Sequence, residues 1–145
     1  MGGTGKARAR TNAARHAAQC AATVDLRHGS LLGPVRERGL CAVVSNPPYI
    51  AFGEAAALPA SVRDWEPAIA LFSASDGMAV TARLIRDAST ALAPLGLLAL
   101  EVDTRRAEAV ARLATSLGSY DDVRVLRDFT GRDRFVVARR REKQE

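Results

Sequence analysis

Residues 43–50 read VVSNPPYI, and within them Asn46, Pro47, Pro48 and Tyr49 are the side chains best suited to chemistry. Proline has no N–H, so the two prolines leave this turn rich in carbonyl acceptors and poor in donors. Each also restrains the residue before it, which holds Asn46 extended at the end of an apolar, β-branched run. The product is a rigid acceptor corner: the Asn46 side-chain oxygen, the Pro47 carbonyl and the flat face of Tyr49. Such a corner fits a planar –NH2 group. Two accepted hydrogen bonds would hold that nitrogen while its lone pair faces an electrophile, and positioning and desolvation would carry most of the rate. Tyr49 offers a surface for the plane of the group. The chemistry indicated is transfer to an amide or exocyclic amine nitrogen. A turn that merely ends a strand is the plain alternative, and the full string of apolar strand, Ser-Asn-Pro-Pro-Tyr and Ile argues against it.

Other reactive residue types form no pattern. Cys20 and Cys41 lack metal-ligand spacing and are expected to be reduced, partly buried thiols. His16 and His28 make no HxxxH or HxH pair, so no metal site is expected. The opening MGGTGKA fails the phosphate-loop pattern because Ala7 follows Lys6. For Glu66, a solvated loop carboxylate and a role at the site fit equally well. The net charge of +5 comes from arginines spread along the chain, the densest cluster being the tail. A dedicated nucleic-acid surface is therefore not expected, although a mild attraction to an acidic partner fits.

The acceptor corner must be held by a fold. A chain of 145 residues, 48% of them hydrophobic, suits one domain over 1–145, with residues 1–10 expected to fray. No apolar run approaches the roughly 20 residues that span a bilayer, and the basic N-terminus lacks the apolar core of a secretory signal. A cytoplasmic protein is expected. Residues 11–22 are Ala-rich and read as a helix, and TVDLRHG reads as a short strand with a turn after it. CAVVSN has the continuous apolar pattern of a strand buried on both faces. MAVTARLIRDASTALAP places Met78, Ala82, Leu84, Ile85, Ala88 and Leu92 near helical spacing, closed by Pro94. GLLALEV is a further strand, and Thr104 can cap the helix RRAEAVARLATSLG. DVRVLRDF and RFVVARR alternate around the turn GRD, an antiparallel hairpin. Strands separated by helices predict an α/β fold with a mostly parallel sheet ending in that hairpin.

SNPPYI, followed by DWEPAIALFSASDG, LALEVDTRRAEAV and VRVLRDFTGRDRFVVARR, resembles the HemK-type family of S-adenosylmethionine-dependent methyltransferases. Those enzymes methylate the glutamine side-chain nitrogen in the Gly-Gly-Gln motif of peptide chain release factors. The resemblance implies a Rossmann-like class I methyltransferase sheet, S-adenosyl-L-methionine as cofactor and a release factor as protein substrate in translation termination. It implies that Asn46, Pro47, Pro48 and Tyr49 are the catalytic tetrapeptide, with Asn46 touching both substrate amide and cofactor. It further implies that Leu31 packs near the adenine and that Glu66 and Pro67 lie in the loop beside the site.

The chain also departs from that family's pattern. The helical substrate-recognition domain is missing, and the text enters after the first two strands, without their Gly-rich loop and acidic strand end. Ser30 stands where the family has Asp, and the loop after LEV begins with Asp103 rather than a glycine-containing turn. The CAVVSN strand is therefore expected to lose a neighbour and expose an apolar edge, on which the 23–28 strand would dock or beside which it would lie loose. The isolated chain is expected to bind cofactor weakly or not at all. A nucleic-acid adenine-N6 methyltransferase, needing the same corner for a different –NH2, is the second reading. An inactive truncated remnant is the third. The sequence leaves the oligomeric state open.

Overall fold

A computed structural model of the chain describes residues 11, 12, 15, 19, 23–47, 50, 51, 72, 73 and 78–142. Backbone contacts divide the chain into residues 1–36 and 37–145. In the first of these, Thr11, Asn12, Arg15 and Gln19 have helical backbone. Residues 23–28 are exposed and form no strand, contrary to the alternation of TVDLRHG. Alternation specifies two faces but does not supply a partner for the backbone N–H and C=O groups, and without one no strand forms. Gly29 precedes a turn in which Gly33 donates its N–H to Ser30 O at 3.0 Å and Val35 to Leu32 O at 2.9 Å. A Cβ on Gly29 would lie 2.2 Å from Pro34 Cγ, so no other residue fits that approach.

The second unit contains strands β1 (Leu40–Ser45), β2 (Ile50–Ala51) and β3 (Phe72–Ser73), helix α1 (Ala79–Ala91), β4 (Leu92–Glu101), helix α2 (Ala107–Ser116), β5 (Tyr120–Arg127) and β6 (Asp133–Arg140). The main sheet has the order β1-β4-β6-β5, and β2 and β3 form a separate parallel pair. β1 and β4 are parallel, whereas β6 is antiparallel to both β4 and β5. The sheet is thus Rossmann-like and mixed, with the C-terminal hairpin where the sequence predicts it.

α1 buries Thr81, Leu84, Ile85, Ala88 and Ala91, the three- and four-residue steps of one helix face. α2 buries Ala107, Val110 and Ala114. These meet Leu98, Leu100 and Val102 at β4, Val136 and Ala138 of β6 and Val43 of β1, all buried. Tyr120 closes the core, its buried hydroxyl donating to Ile85 O at 2.7 Å. Burial pushes the Tyr120 phenol pKa up, and nearby Arg140 works against that shift.

Helix α1 ends at Ala91, three residues before Pro94, and Leu92 is already extended. Leu40 pairs with Leu92 and Ala42 with Leu97, so residues 93–96 loop out of the ladder. Arg139 donates to Leu95 O at 3.2 Å, and Arg140 donates to Leu92 O. The apolar pattern's suggestion that β1 is buried on both faces is overturned, and the exposed edge expected from the departures from the family's pattern is what the described residues show. Among the described residues it is an edge strand paired only with β4, and Val44 is 76% exposed while Val43 is 6% exposed. Cys41 is correspondingly an exposed free thiol rather than a partly buried one. Cys20 lies outside the described residues.

Candidate active site

β1 carries the chain to one end of the sheet, and the turn begins there. Ser45 is in register with Leu100, so Asn46 leaves the sheet beside the carboxyl end of β4, where Glu101 and Asp103 follow. The crevice outside the carboxyl ends of the strands is where open α/β sheets bind ligands. Asn46 is exposed, and its carboxamide makes no hydrogen bond among the described residues. Pro47 is buried. The buried proline restrains the backbone of Asn46 to extended conformations and so fixes where its side chain starts. Pro48, Tyr49, Glu66 and Pro67 lie outside the described residues. Leu31 is a half-buried residue of the 1–36 unit with φ +49, placed in the turn after Gly29.

Two carboxylates organise loops at this end of the sheet. Asp103 receives the Arg105 backbone N–H at 2.9 Å and Arg105 Nε at 3.0 Å. Burial works to raise its pKa, but the Arg105 side chain, the Arg105 backbone N–H and the charges of Arg105 and Arg106 outweigh it, leaving the pKa lowered. Asp103, not Thr104, therefore shapes the entry to α2, whose first flanking residue, Arg106, has no side-chain cap. Asp128 does the same between β5 and β6, accepting from Thr130 Oγ1 at 2.6 Å, Thr130 N–H at 2.8 Å and Arg132 N–H at 3.1 Å. Among the described residues no group of three or more His, Cys, Asp or Glu could hold a metal ion.

No model of a known protein family matches the sequence. The release factor glutamine methyltransferase of Moorella thermoacetica is 44% identical over 122 residues, 84% of this chain and 43% of that protein. The release factor glutamine methyltransferase of Gloeobacter violaceus is 40% identical over 114 residues, 79% of this chain and 40% of that protein. Over most of its length, the chain is similar to release factor glutamine methyltransferases. It spans less than half the length of these relatives. A methyltransferase from Pyrococcus furiosus, 18% identical, superposes with a TM-score of 0.60 over 90% of this chain and 56% of that one, which establishes the methyltransferase fold.

The structure brings Asn46 and Pro47 to the carboxyl end of β1, just past the pairing of Ser45 with Leu100. The sequence reading places a turn at GRD but gives no role to Glu101 or to the Asp128 carboxylate. The signal for that carboxylate's role was present in DFTGRD, where an Asp two residues before Thr130 and three before Gly131 fits a side-chain-to-backbone turn. Its exposed aromatic, Phe129, breaks the polar habit of turns. Among the described residues no helix is long and apolar enough to cross a membrane.

Proposed function

We propose that the chain carries the nitrogen-holding site of an S-adenosylmethionine-dependent methyltransferase acting on the glutamine side-chain amide (N5) of peptide chain release factors. The observation that carries this reading is the 44% identity to the Moorella thermoacetica release factor glutamine methyltransferase. The exposed position of Asn46 at the carboxyl end of β1 supports it. In this reading the Asn46 side-chain oxygen and the Pro47 carbonyl each accept one N–H of the glutamine amide. The nitrogen is then held with its lone pair directed outward, and the buried Pro47 keeps the corner stiff. Tyr49 and Pro48 border the amide plane, and Glu66 lies beside the substrate.

The residues present fit one end of the cofactor. The Asn46 carboxamide has both donor and acceptor capacity and no partner among the described residues, which suits the methionine end. When bound, the cofactor supplies an electrophilic methyl group. The chain's part is to orient the nitrogen and exclude water from it, and the amide proton leaves after attack, so no strong base is required of the protein.

The test is transfer of labelled methyl from S-adenosylmethionine to an intact release factor. It compares this chain alone with the chain joined to the remaining length of the Moorella thermoacetica relative. Asn46→Ala is expected to lower transfer by about 100-fold, the scale of a lost oriented hydrogen bond at a reacting centre, with the unfolding midpoint unchanged. An unaltered rate removes Asn46 from the mechanism. A release factor left unlabelled by both forms overturns the reading.

A further inference from the structure

The β5–β6 hairpin points to the same end of the sheet as Asn46. Glu101 is opposite Phe135 on antiparallel β6, and Ser45 is opposite Leu100 on parallel β4. The turn at 128–132 therefore projects past the carboxyl ends of β1 and β4. It is a built turn: Asp128 donates its N–H to Arg132 O at 2.8 Å and Gly131 donates to Asp128 O at 2.9 Å. The Asp128 carboxylate gathers the three further hydrogen bonds given above, and Gly131 takes φ +80. This scaffold presents Phe129 fully exposed to solvent. Leu126 and Phe135, opposite each other in register, are also exposed large apolar side chains. An apolar strip thus runs up one end of the hairpin to an aromatic tip.

The charges around the tip are mostly answered. Arg127 pairs with Asp133 at 3.3 Å and Arg134 lies 3.7 Å from Asp128. Among the described residues the Arg132 guanidinium has no ion pair. An exposed aromatic beside a free guanidinium is the pairing enriched at the centres of protein interfaces, and a turn already fixed by its own hydrogen bonds loses little entropy on docking. The same pair could stack on bases. However, the neighbouring Asp128 and Asp133 break any basic stripe, which disfavours a polyanion.

We propose that the Phe129 turn is a docking element for the protein substrate, with Phe129 entering an apolar pocket and Arg132 meeting carboxylates on its rim. This rests on the reading that Asn46 receives an amide from a protein. With strands spaced about 4.8 Å apart, a turn two to three strands from β1 stands roughly 10–15 Å to the side of Asn46. That is too far to touch a short peptide held in the corner, and well within the footprint of a protein interface.

The test is calorimetric titration of the full chain with an intact release factor. It is paired with methyl transfer from S-adenosylmethionine to a short Gly-Gly-Gln peptide. Phe129→Ala is expected to weaken binding of the release factor about tenfold or more, Phe129→Trp to restore it, and Arg132→Glu to weaken it. Unfolding midpoints should not move, and any transfer to the peptide should be the same in parent and variants. Equal affinity of parent and Phe129→Ala overturns the docking role, as does a parent that binds no release factor. Phe129-dependent binding of a single-stranded oligonucleotide instead of the release factor overturns the choice of partner. Phe129-dependent binding of the release factor without transfer to the peptide supports the docking element and counts against the catalytic reading alone.

Discussion

Asp128 shows what one carboxylate does in this chain. Three donors converge on it, and with Arg134 nearby they hold its pKa below the usual carboxylate range. The Thr130 hydroxyl is the largest contributor, followed by the Arg132 N–H, and only desolvation opposes them. A group whose folded pKa is depressed stabilises the fold at pH values above its unfolded pKa, near 3.8, and loses that contribution as pH falls through the folded value. Asp128→Asn keeps an acceptor but not the charge. It is expected to melt below the parent at pH 7, and by a smaller margin at an acid pH below the unfolded value of 3.8. Thermal unfolding of both proteins at the two pH values checks this, and a gap that stays constant with pH sinks it. The sequence made some residues readable and not others. Asn46 at a strand end follows from where the apolar run breaks into prolines. The turn into α2 does not, because Asp103 and Thr104 are both good local hydrogen-bonding types, and only the path of the chain decides between them.

At the scale of elements, the junction of α1 and β4 carries two adjacent residues with opposite demands. Leu95 has φ +62 and is largely exposed, so its backbone is strained by its own Cβ while its side chain buries little. A left-handed conformation costs an L-residue roughly 1–2 kcal/mol. Gly96 is buried, and a Cβ there would sit 2.9 Å from the carbonyl oxygens of Leu40 and Ala93. Leu95→Gly is therefore expected to be about 1 kcal/mol more stable than Leu95→Ala, which loses the same side chain but keeps the strain. Gly96→Ala should destabilise, because β1 must shift away from β4 to admit the methyl group. Denaturant unfolding of the three variants tests the pair, and equal stability of the two Leu95 variants removes the strain. Helix α1 and the β5–β6 hairpin are legible in the sequence because both depend on local periodicity and a turn. The loop at 93–96 is not, since it arises from fitting a helix end onto a neighbouring strand, and the segment 23–28 alternates yet forms no strand.

At the scale of the whole molecule, the sheet order among the described residues makes β1 an edge, and edges are where one chain recruits another. An unpaired apolar strand presents N–H and C=O groups together with side chains that favour pairing. CAVVSN reads as a central strand from its composition alone, because burial on both faces and exposure at an edge differ only in what lies alongside. Val43 and Val44 separate the two cases. Val43 faces the helices and Val44 faces solvent, so the same substitution at adjacent positions should have opposite consequences. Val44→Lys is expected to leave the unfolding free energy within about 0.5 kcal/mol of the parent, as exposed substitutions do. It should also slow self-association, because a lysine on an edge resists strand addition. Val43→Lys buries an unpaired charge among Leu98, Leu100 and the helices and should prevent stable folding. Light scattering under reducing conditions, which excludes disulfide formation by the exposed Cys41, measures the first effect, and circular dichroism the second. If Val44→Lys aggregates as readily as the parent, the β1 edge is not the surface through which copies of the chain associate, and another apolar exposure, such as the Leu126–Phe135 strip, must be responsible.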